Sequence, residues 1–306
     1  MNMSILLQKN TNVIVQGITG KEGQKAAAAM LEYGTNVAGG VRPGKGGETV
    51  EGKPVWNTVQ EAVDALAQGG ADITALVSAV YVPPFAAKAA IMEAIDAGVV
   101  QINIIVERIP IQDTAYCLSA AKEKNIQIIG PSSLGYIAPG IGRIGVVGGP
   151  KKLADEIFTP GSIGIISRSG GMTNEISWQI RKAGMGQSAA VHVGGDLLMG
   201  TTYADLLRLF EKDDQTKAVV IFGEHGGSYE FEIVELIEKK EYTKPLAIYI
   251  GGKFANVFPE GMNIGHAGAI VERGKGAAEK ERALSGAGAH IAERYEDLVA
   301  LIQPFA

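Results

Sequence analysis

Cysteine occurs once in this chain, as Cys117, so neither an intrachain disulfide nor a multi-cysteine metal site can form, and a reducing compartment is expected. Positive charge is also in short supply. Lys and Arg number 28 against 33 Asp and Glu, a formal net charge of −5, which disfavours a whole-surface nucleic-acid binder but leaves room for a local anion site. No apolar run approaches the ~18 residues of a membrane span. The first ten residues hold only Ile5-Leu6-Leu7 before Gln8-Lys9, too short a core for a signal peptide. A soluble intracellular protein without membrane contact is therefore expected, in the cytoplasm or, in a eukaryote, in the mitochondrial matrix after processing. What the chain has in excess is glycine: 41 of 306 residues, nearly double the ~7% of ordinary usage. These glycines follow no three-residue period, which excludes collagen. With 46% hydrophobic and only 20% charged residues, the chain has apolar surface for a core, which excludes disorder. A length of 306 exceeds the ~250 to 300 residues at which single cores stop growing, so two domains are expected.

Short apolar runs bounded by glycine alternate with longer Ala-rich stretches, the pattern of strands and helices in a parallel sheet. In the first half, strands are expected at 13–15, 36–38, 73–78, 102–106 and 126–129, with helices at 25–33, 61–67, 85–97 and 112–124. This is a Rossmann-like unit. From there to Pro160 the pattern changes, because Pro131, Pro139, Pro150 and Pro160 interrupt every periodic run and suggest a linker or irregular crossing. The alternation restarts with strands at 162–166, 188–193, 218–222, 246–250 and 290–292, and helices at 172–183, 203–211, 230–239, 279–285 and 295–302. The fold class is α/β: a Rossmann-like domain over 1–130, a linker over 131–160, and a flavodoxin-like doubly wound domain over 161–306.

Four glycine-rich segments can carry chemistry. The first strand runs into Gly17-Ile18-Thr19-Gly20-Lys21-Glu22-Gly23, where free backbone amides and a helix N-terminus suit a phosphate. Tight packing of a strand-to-helix turn is the alternative. A nicotinamide enzyme would place Asp or Glu after its second strand. Here that strand leads into Gly39-Gly40-Val41-Arg42-Pro43-Gly44-Lys45-Gly46-Gly47, a cationic loop that suits a phosphorylated ribose or another polyanion. Ser167-Arg168-Ser169-Gly170-Gly171-Met172-Thr173-Asn174-Glu175 opens the first helix of the second unit, with Ser169 as the expected N-cap and capping alone as the bland explanation. In Asn263-Ile264-Gly265-His266-Ala267-Gly268-Ala269, every close neighbour of His266 is small, so the ring would stand free near the C-terminal edge of the second sheet. His192 and His290 read as structural. A free imidazole can carry a phosphoryl group if a carboxylate fixes its tautomer and an anion site holds the phosphate. Glu224, in Gly223-Glu224-His225-Gly226-Gly227, could supply the first, and the helix start near Ser169 and Gly170 the second.

Taken in order, Gln16-Gly17-Ile18-Thr19-Gly20, Pro43-Gly44-Lys45-Gly46-Gly47, Gly130-Pro131, Ser167-Arg168-Ser169-Gly170, Gly194-Gly195-Asp196, Gly223-Glu224 and Gly265-His266-Ala267-Gly268 resemble the α subunit of succinyl-CoA synthetase over essentially the whole chain. The resemblance implies an N-terminal CoA-binding domain and a C-terminal ligase domain with a transiently phosphorylated histidine. It also implies a separate ATP-grasp β subunit that binds ATP or GTP with magnesium; no metal site is expected in this chain. By the same resemblance, Thr19, Gly20, Lys21, Glu22 and Lys45 contact CoA, as do Ile105, Val106 and Glu107, with Arg108 in place of a usual glycine. His266 is then the phosphohistidine and Glu224 the carboxylate that orients it.

Two departures bear on the acid substrate. The usual Pro-Asn-Cys-Pro-Gly segment is Pro131-Ser132-Ser133-Leu134-Gly135. Where the succinate enzymes continue Thr-Leu-Thr-Tyr-Glu, this chain has Gly171-Met172-Thr173-Asn174-Glu175, similar to ATP-citrate lyase and citryl-CoA synthetase. Ser169, Gly170, Gly171 and Asn174 are thus expected at the phosphate and acid site, with succinate or a bulkier polycarboxylate as the small carboxylic acid. A CoA-binding regulatory subunit without catalysis and, more remotely, a Rossmann dehydrogenase are the alternatives.

Overall fold

The computed structural model describes residues 5–306, so the first four positions of the N-terminal segment read above lie outside the described residues. The first half builds one sheet from β1 (Val13–Gln16), β2 (Val37–Val41), β3 (Thr49–Val50), β4 (Lys53–Trp56), β5 (Val77–Val80), β6 (Gln101–Ile104) and β7 (Gln127–Ile129). The order is β3-β4-β2-β1-β5-β6-β7, parallel except for the β3/β4 hairpin. Without β3 this is the 3-2-1-4-5-6 arrangement of dinucleotide-binding folds, and the direction of winding reverses between β1 and β5. Helices α1 (Lys21–Tyr33), α2 (Val59–Gln68), α3 (Pro84–Asp96) and α4 (Ile111–Glu123) make the crossovers.

Two strands of this sheet depart from expectation for identifiable reasons. β2 runs on through Gly39 and Gly40, since these glycines admit close neighbours and do not end the strand. A Cβ on Gly39 would come within 2.3 Å of the Trp56 ring, and one on Gly40 within 2.4 Å of Ile18. Residues 73–76, expected as strand, are a turn in which Asp72 Oδ1 accepts from the Thr74 amide and hydroxyl at 2.9 and 2.6 Å.

The second sheet contains β8 (Gly135–Ala138), β9 (Gly142–Gly145), β10 (Pro160–Ser167), β11 (Gln187–His192), β12 (Ala218–Glu224), β13 (Leu246–Gly251) and β14 (His290–Ile291). Its order is β14-β13-β12-β10-β11-β8-β9, so the five parallel strands reproduce the flavodoxin-like 2-1-3-4-5 pattern. The helices are α5 (Lys151–Ile157), α6 (Gly170–Lys182), α7 (Tyr203–Lys212), α8 (Tyr229–Glu238), α9 (Ala277–Ala287) and α10 (Asp297–Ile302). The proline-rich stretch read as an irregular crossing is ordered otherwise: β8 and β9 form a hairpin whose first strand pairs antiparallel with β11, and α5 follows. Glycines allow the two strands to meet closely at the open end of this hairpin. Gly135 and Gly145 have φ of +103° and +85°, and a Cβ on either would strike the backbone of the opposite strand.

The hairpin also locks the halves together. Arg143 of β9 is fully buried; its Nη2 donates to Ala29 O of α1 at 2.8 Å and its Nη1 to Gly149 O at 2.6 Å. Thr35 Oγ1 donates to Arg143 O at 2.7 Å, and the Tyr136 hydroxyl donates to Gln101. One cluster of buried residues accordingly runs from Val13, Val15 and Ala26 of the first half through Tyr136 and Ile144 to Val191 and Phe210 of the second.

Candidate active site

The C-terminal ends of both parallel sheets face a common region. In the first sheet, a cleft of about 470 Å³ lies at the reversal between β1 and β5, lined by Gln16 and Gly17, by Val41 to Pro43, and by Val82 and Pro83. Gly17 has φ +83°, and a Cβ there would lie 2.3 Å from Tyr81 O, so only glycine fits this turn. Thr19 is half-buried, while Gly20, the N-cap of α1, and Lys21 and Glu22 in its first turn are exposed. Lys45 is exposed and paired with Glu48 at 2.8 Å, on a loop whose Gly44 and Gly46 amides both donate to Asn57 Oδ1 at 3.0 Å. These residues follow the lining residues directly in the chain. Ile105, Val106 and Glu107 continue β6 at the same sheet edge, and Arg108 takes φ +61°, the left-handed conformation that glycine adopts most readily.

A second cavity, also about 470 Å³, is shared by the two halves. Glu107, Arg108, Ile109 and Ser132 line it from the first, and Gly195, Asp196 and His266 with its loop from the second. Thus the structure brings Glu107 to His266, a meeting that no local sequence feature announces.

His266 is held where its loop passes the end of β12. Its Nδ1 lies 2.6 Å from Glu224 Oε1, with the imidazole 39% exposed and the carboxylate 13%. The hydrogen bond to Glu224 raises the His266 pKa above the ordinary histidine value, against the lowering effect of burial. Gly195 makes room for the ring, since a Cβ there would sit 2.6 Å from His266 Cγ. The loop closes on itself through Ala269 N to His266 O at 2.8 Å and Ile264 N to Ala269 O at 3.0 Å, and meets β11's exit through Gly268 N to Gly195 O at 3.1 Å.

Arg168, only part of a motif in the sequence, is a component of this site. It is fully buried, and its Nη2 donates to Asp196 O at 2.6 Å. Its Nε lies 3.8 Å from Glu224 Oε2, too far for a hydrogen bond, so Nε, Nη1 and Glu224 Oε2 are buried without hydrogen-bond partners. Unsatisfied guanidinium N–H groups beside a histidine are what an incoming anion would satisfy. The signal was a lone arginine between two serines at a strand end.

Ser169 caps α6, its Oγ accepting from Met172 N at 3.4 Å. Gly170 is buried against Leu134, while Gly171 is exposed, with nothing nearer its Cβ direction than Ser169 Oγ at 4.0 Å. Asn174 is turned elsewhere: its Oδ1 accepts from Gly148 N at 3.1 Å and ties α6 to the loop after β9. The structure therefore does not bring Asn174 together with His266. His192 bridges instead. Its Nδ1 accepts from Leu134 N at 2.8 Å and its Nε2 faces Arg168 O at 3.1 Å, which fixes the Nε2–H tautomer.

Residues 8–108 match the family model described as CoA binding domain, and residues 166–290 the model described as CoA-ligase. The chain is 44% identical over 300 residues to succinate–CoA ligase [ADP-forming] subunit alpha 1 of Archaeoglobus fulgidus, covering 98% of this chain and 97% of that protein. It is 39% identical over 302 residues to the ADP-forming sulfoacetate-CoA ligase subunit SauD of Bilophila wadsworthia, covering 98% and 99%. An ATP citrate lyase from Methanothrix soehngenii, in complex with citrate and coenzyme A, shares the fold at a TM-score of 0.87 and 24% identity; 98% of this chain spans 50% of that one. A dehydrogenase and a noncatalytic CoA-binding module are set aside by these matches. The chain is the α subunit of an acid–CoA ligase, uses coenzyme A, and belongs to the family of succinate–CoA ligase α subunits.

Proposed function

We propose that His266 is the phosphoryl carrier of this ligase, with Glu224 as its orienting carboxylate. The observation that carries the reading is the 2.6 Å contact of Glu224 with Nδ1, which leaves Nε2 as the free nucleophile. In the first step the Nε2 lone pair attacks the terminal phosphorus of a nucleoside triphosphate, the bond to the bridging oxygen breaks, and the diphosphate leaves. An ATP-grasp β subunit would hold that nucleotide and its magnesium, in ADP-forming use as in the named relatives. In the second step a carboxylate oxygen of the acid attacks the phosphorus and the P–N bond breaks, giving an acyl phosphate. In the third, the CoA thiolate attacks the acyl carbon and inorganic phosphate departs.

Charge on the phosphoryl oxygens is met by Arg168 and by the α6 N-terminus at Ser169 and Gly170. Thr19 to Glu22, Lys45 and Ile105 to Glu107 are assigned to CoA. The cleft at the first sheet's reversal supports this, because ligands in such folds bind at that point. The acid is assigned to the succinate class. Its site would include Gly171; Asn174 supports the site by holding the loop at Gly148. We place the domain boundary near Gly130, and the protein in the cytoplasm on its single cysteine, Cys117, which is buried and has its thiol pKa pushed up to about 11 by burial. No helix among the described residues is long and apolar enough to cross a membrane.

The test is reconstitution with a β subunit and nucleotide labelled in the terminal phosphate. The chain is expected to acquire an acid-labile, base-stable label that succinate with CoA discharges, and His266→Ala to acquire none. Labelling that survives this substitution removes the assignment.

A further inference from the structure

Beneath the Glu224–His266 contact lies a second ionic pair that the chemistry above does not use. Lys280 of α9 and Glu230 of α8 have fully buried side chains, with Nζ and Oε2 2.5 Å apart. An ammonium has three hydrogens to donate, and here each has an acceptor. The other two are the carbonyl oxygens of Glu224, at 2.7 Å, and Gly226, at 2.5 Å. The remaining oxygen of Glu230, Oε1, accepts from the Glu224 amide at 3.2 Å. Both backbone polar groups of Glu224 are therefore held by this one pair. Gly223 allows the approach, since a Cβ there would lie 3.0 Å from Glu230 Oε1.

Glu224 is the last residue of β12, in register with Gly251 at the end of β13, and the His225 amide donates to Gly251 O at 2.9 Å, so the sheet holds this end of the strand from one side only. The turn beyond passes through Gly226 and Gly227 at φ +83° and +65°, the left-handed region that glycine adopts most readily. Something must set the carboxylate against His266, and the buried pair holds its peptide from both sides. We propose that Lys280 and Glu230 are positioning residues for phosphoryl transfer. They act through the Glu224 backbone to aim its carboxylate at His266 Nδ1. This rests on the reading of His266 as phosphoryl carrier. A pair that served the fold alone could be exchanged for apolar side chains at a cost in stability but none in labelling rate, the cost falling on the Glu224 and Gly226 backbone groups left without partners. A positioning pair could not.

The experiment uses the reconstituted two-subunit enzyme with Lys280→Met, Lys280→Arg, and the double variant Lys280→Met/Glu230→Leu. The single Lys280→Met variant is expected to lower thermal stability and to slow His266 labelling by ~10- to 100-fold, the scale of a small misplacement of reacting groups. The KM for CoA is expected to stay unchanged, since CoA is assigned to the other sheet. In the double variant stability returns only in part, because the Glu224 and Gly226 backbone groups stay without partners, and labelling stays slow, while Lys280→Arg, which keeps the donors, recovers part of the rate. Wild-type labelling in the double variant overturns the proposal. A second readout does not require labelling at all: the imidazole 15N signals of His266 are expected to show a hydrogen-bonded Nδ1–H in the wild type and to lose it in either Met-containing variant. An unchanged 15N pattern also overturns the proposal. Failure of the wild type to label, with the 15N change intact, counts against the phosphoryl-carrier reading and leaves the positioning role standing.

Discussion

At the scale of single residues, the site depends on which charges are paired and which are left open. Glu224 gives one oxygen to His266 and leaves the other without a hydrogen bond, 3.8 Å from an Arg168 nitrogen that also lacks one. The hydrogen bond favours the imidazolium and so raises the His266 pKa, whereas attack by Nε2 needs the neutral ring. Labelling is therefore expected to rise with pH through a midpoint above the ordinary ~6.5 of histidine. In Glu224→Gln the charge is gone, and the midpoint is expected to move down. Rate measurements across pH on both proteins check this; a midpoint in Glu224→Gln equal to or above the wild type rules out the carboxylate's influence. His266 and Glu224 were legible in the sequence because each sits among glycines just past a strand. Arg168 was only half legible, since nothing local says that its side chain stays buried beside them. Lys280 carries a signal in its helix pattern. Ala277, Lys280 and Leu284 share the buried stripe of α9, as Glu230, Ile233 and Leu236 share that of α8. A charged residue on the core-facing stripe of two helices in one domain suggests a buried pair.

At the scale of elements, the start of α6 is where substrate choice can be tuned at little structural cost. Gly171 is the second residue of this helix and its Cβ direction opens into free space, so a side chain there fits the fold. Threonine at this position narrows the space beside the helix N-terminus. With succinate, malate and citrate as a panel, the wild type is expected to favour succinate. Gly171→Thr is expected to lower the citrate-to-succinate ratio of kcat/KM by ~10-fold, the effect of one added side-chain group. An unchanged ratio would take Gly171 out of the acid site. Strands and helices were legible wherever apolar periodicity was strong; the hairpin of β8 and β9 was not. Its strands are short and interrupted by Pro139 and Gly140, and β8 finds its second partner only across the sheet in β11. Long-range pairing of that kind leaves no local trace.

At the scale of the whole molecule, buried polar groups tie the elements of the second sheet together. His192 connects the Leu134 amide to the Arg168 carbonyl, and burial pushes its pKa down to about 4. Above pH ~6.5 the ring is neutral whether folded or unfolded, and its burial costs nothing in linkage terms. Below that the unfolded chain takes up the proton and the folded one does not, so stability falls until the pH reaches the folded value. The loss amounts to ~3 kcal/mol between these limits. Denaturant unfolding from pH 7 to 4 is expected to show this slope, and His192→Gln to flatten it. An identical slope in both proteins assigns the acid sensitivity to other groups. The two-sheet architecture itself was legible, since each half repeats its own alternation of strand and helix. Its closure was not, because Arg143 gives no sign in the sequence that it will bury its guanidinium against α1 and the loop at Gly149.

Under the proposed placement of CoA, the separation of the two cavities would divide the coenzyme into a handle and a reacting end. On the proposed assignment, the cleft between β1 and β5 grips the nucleotide, while the thiol reacts in the chamber that Glu107 and His266 share. Affinity and reactivity are thus vested in opposite ends of one ligand. A fragment with the nucleotide but no thiol occupies the protein idly, and a short thiol without the nucleotide reaches the chamber only by chance encounter.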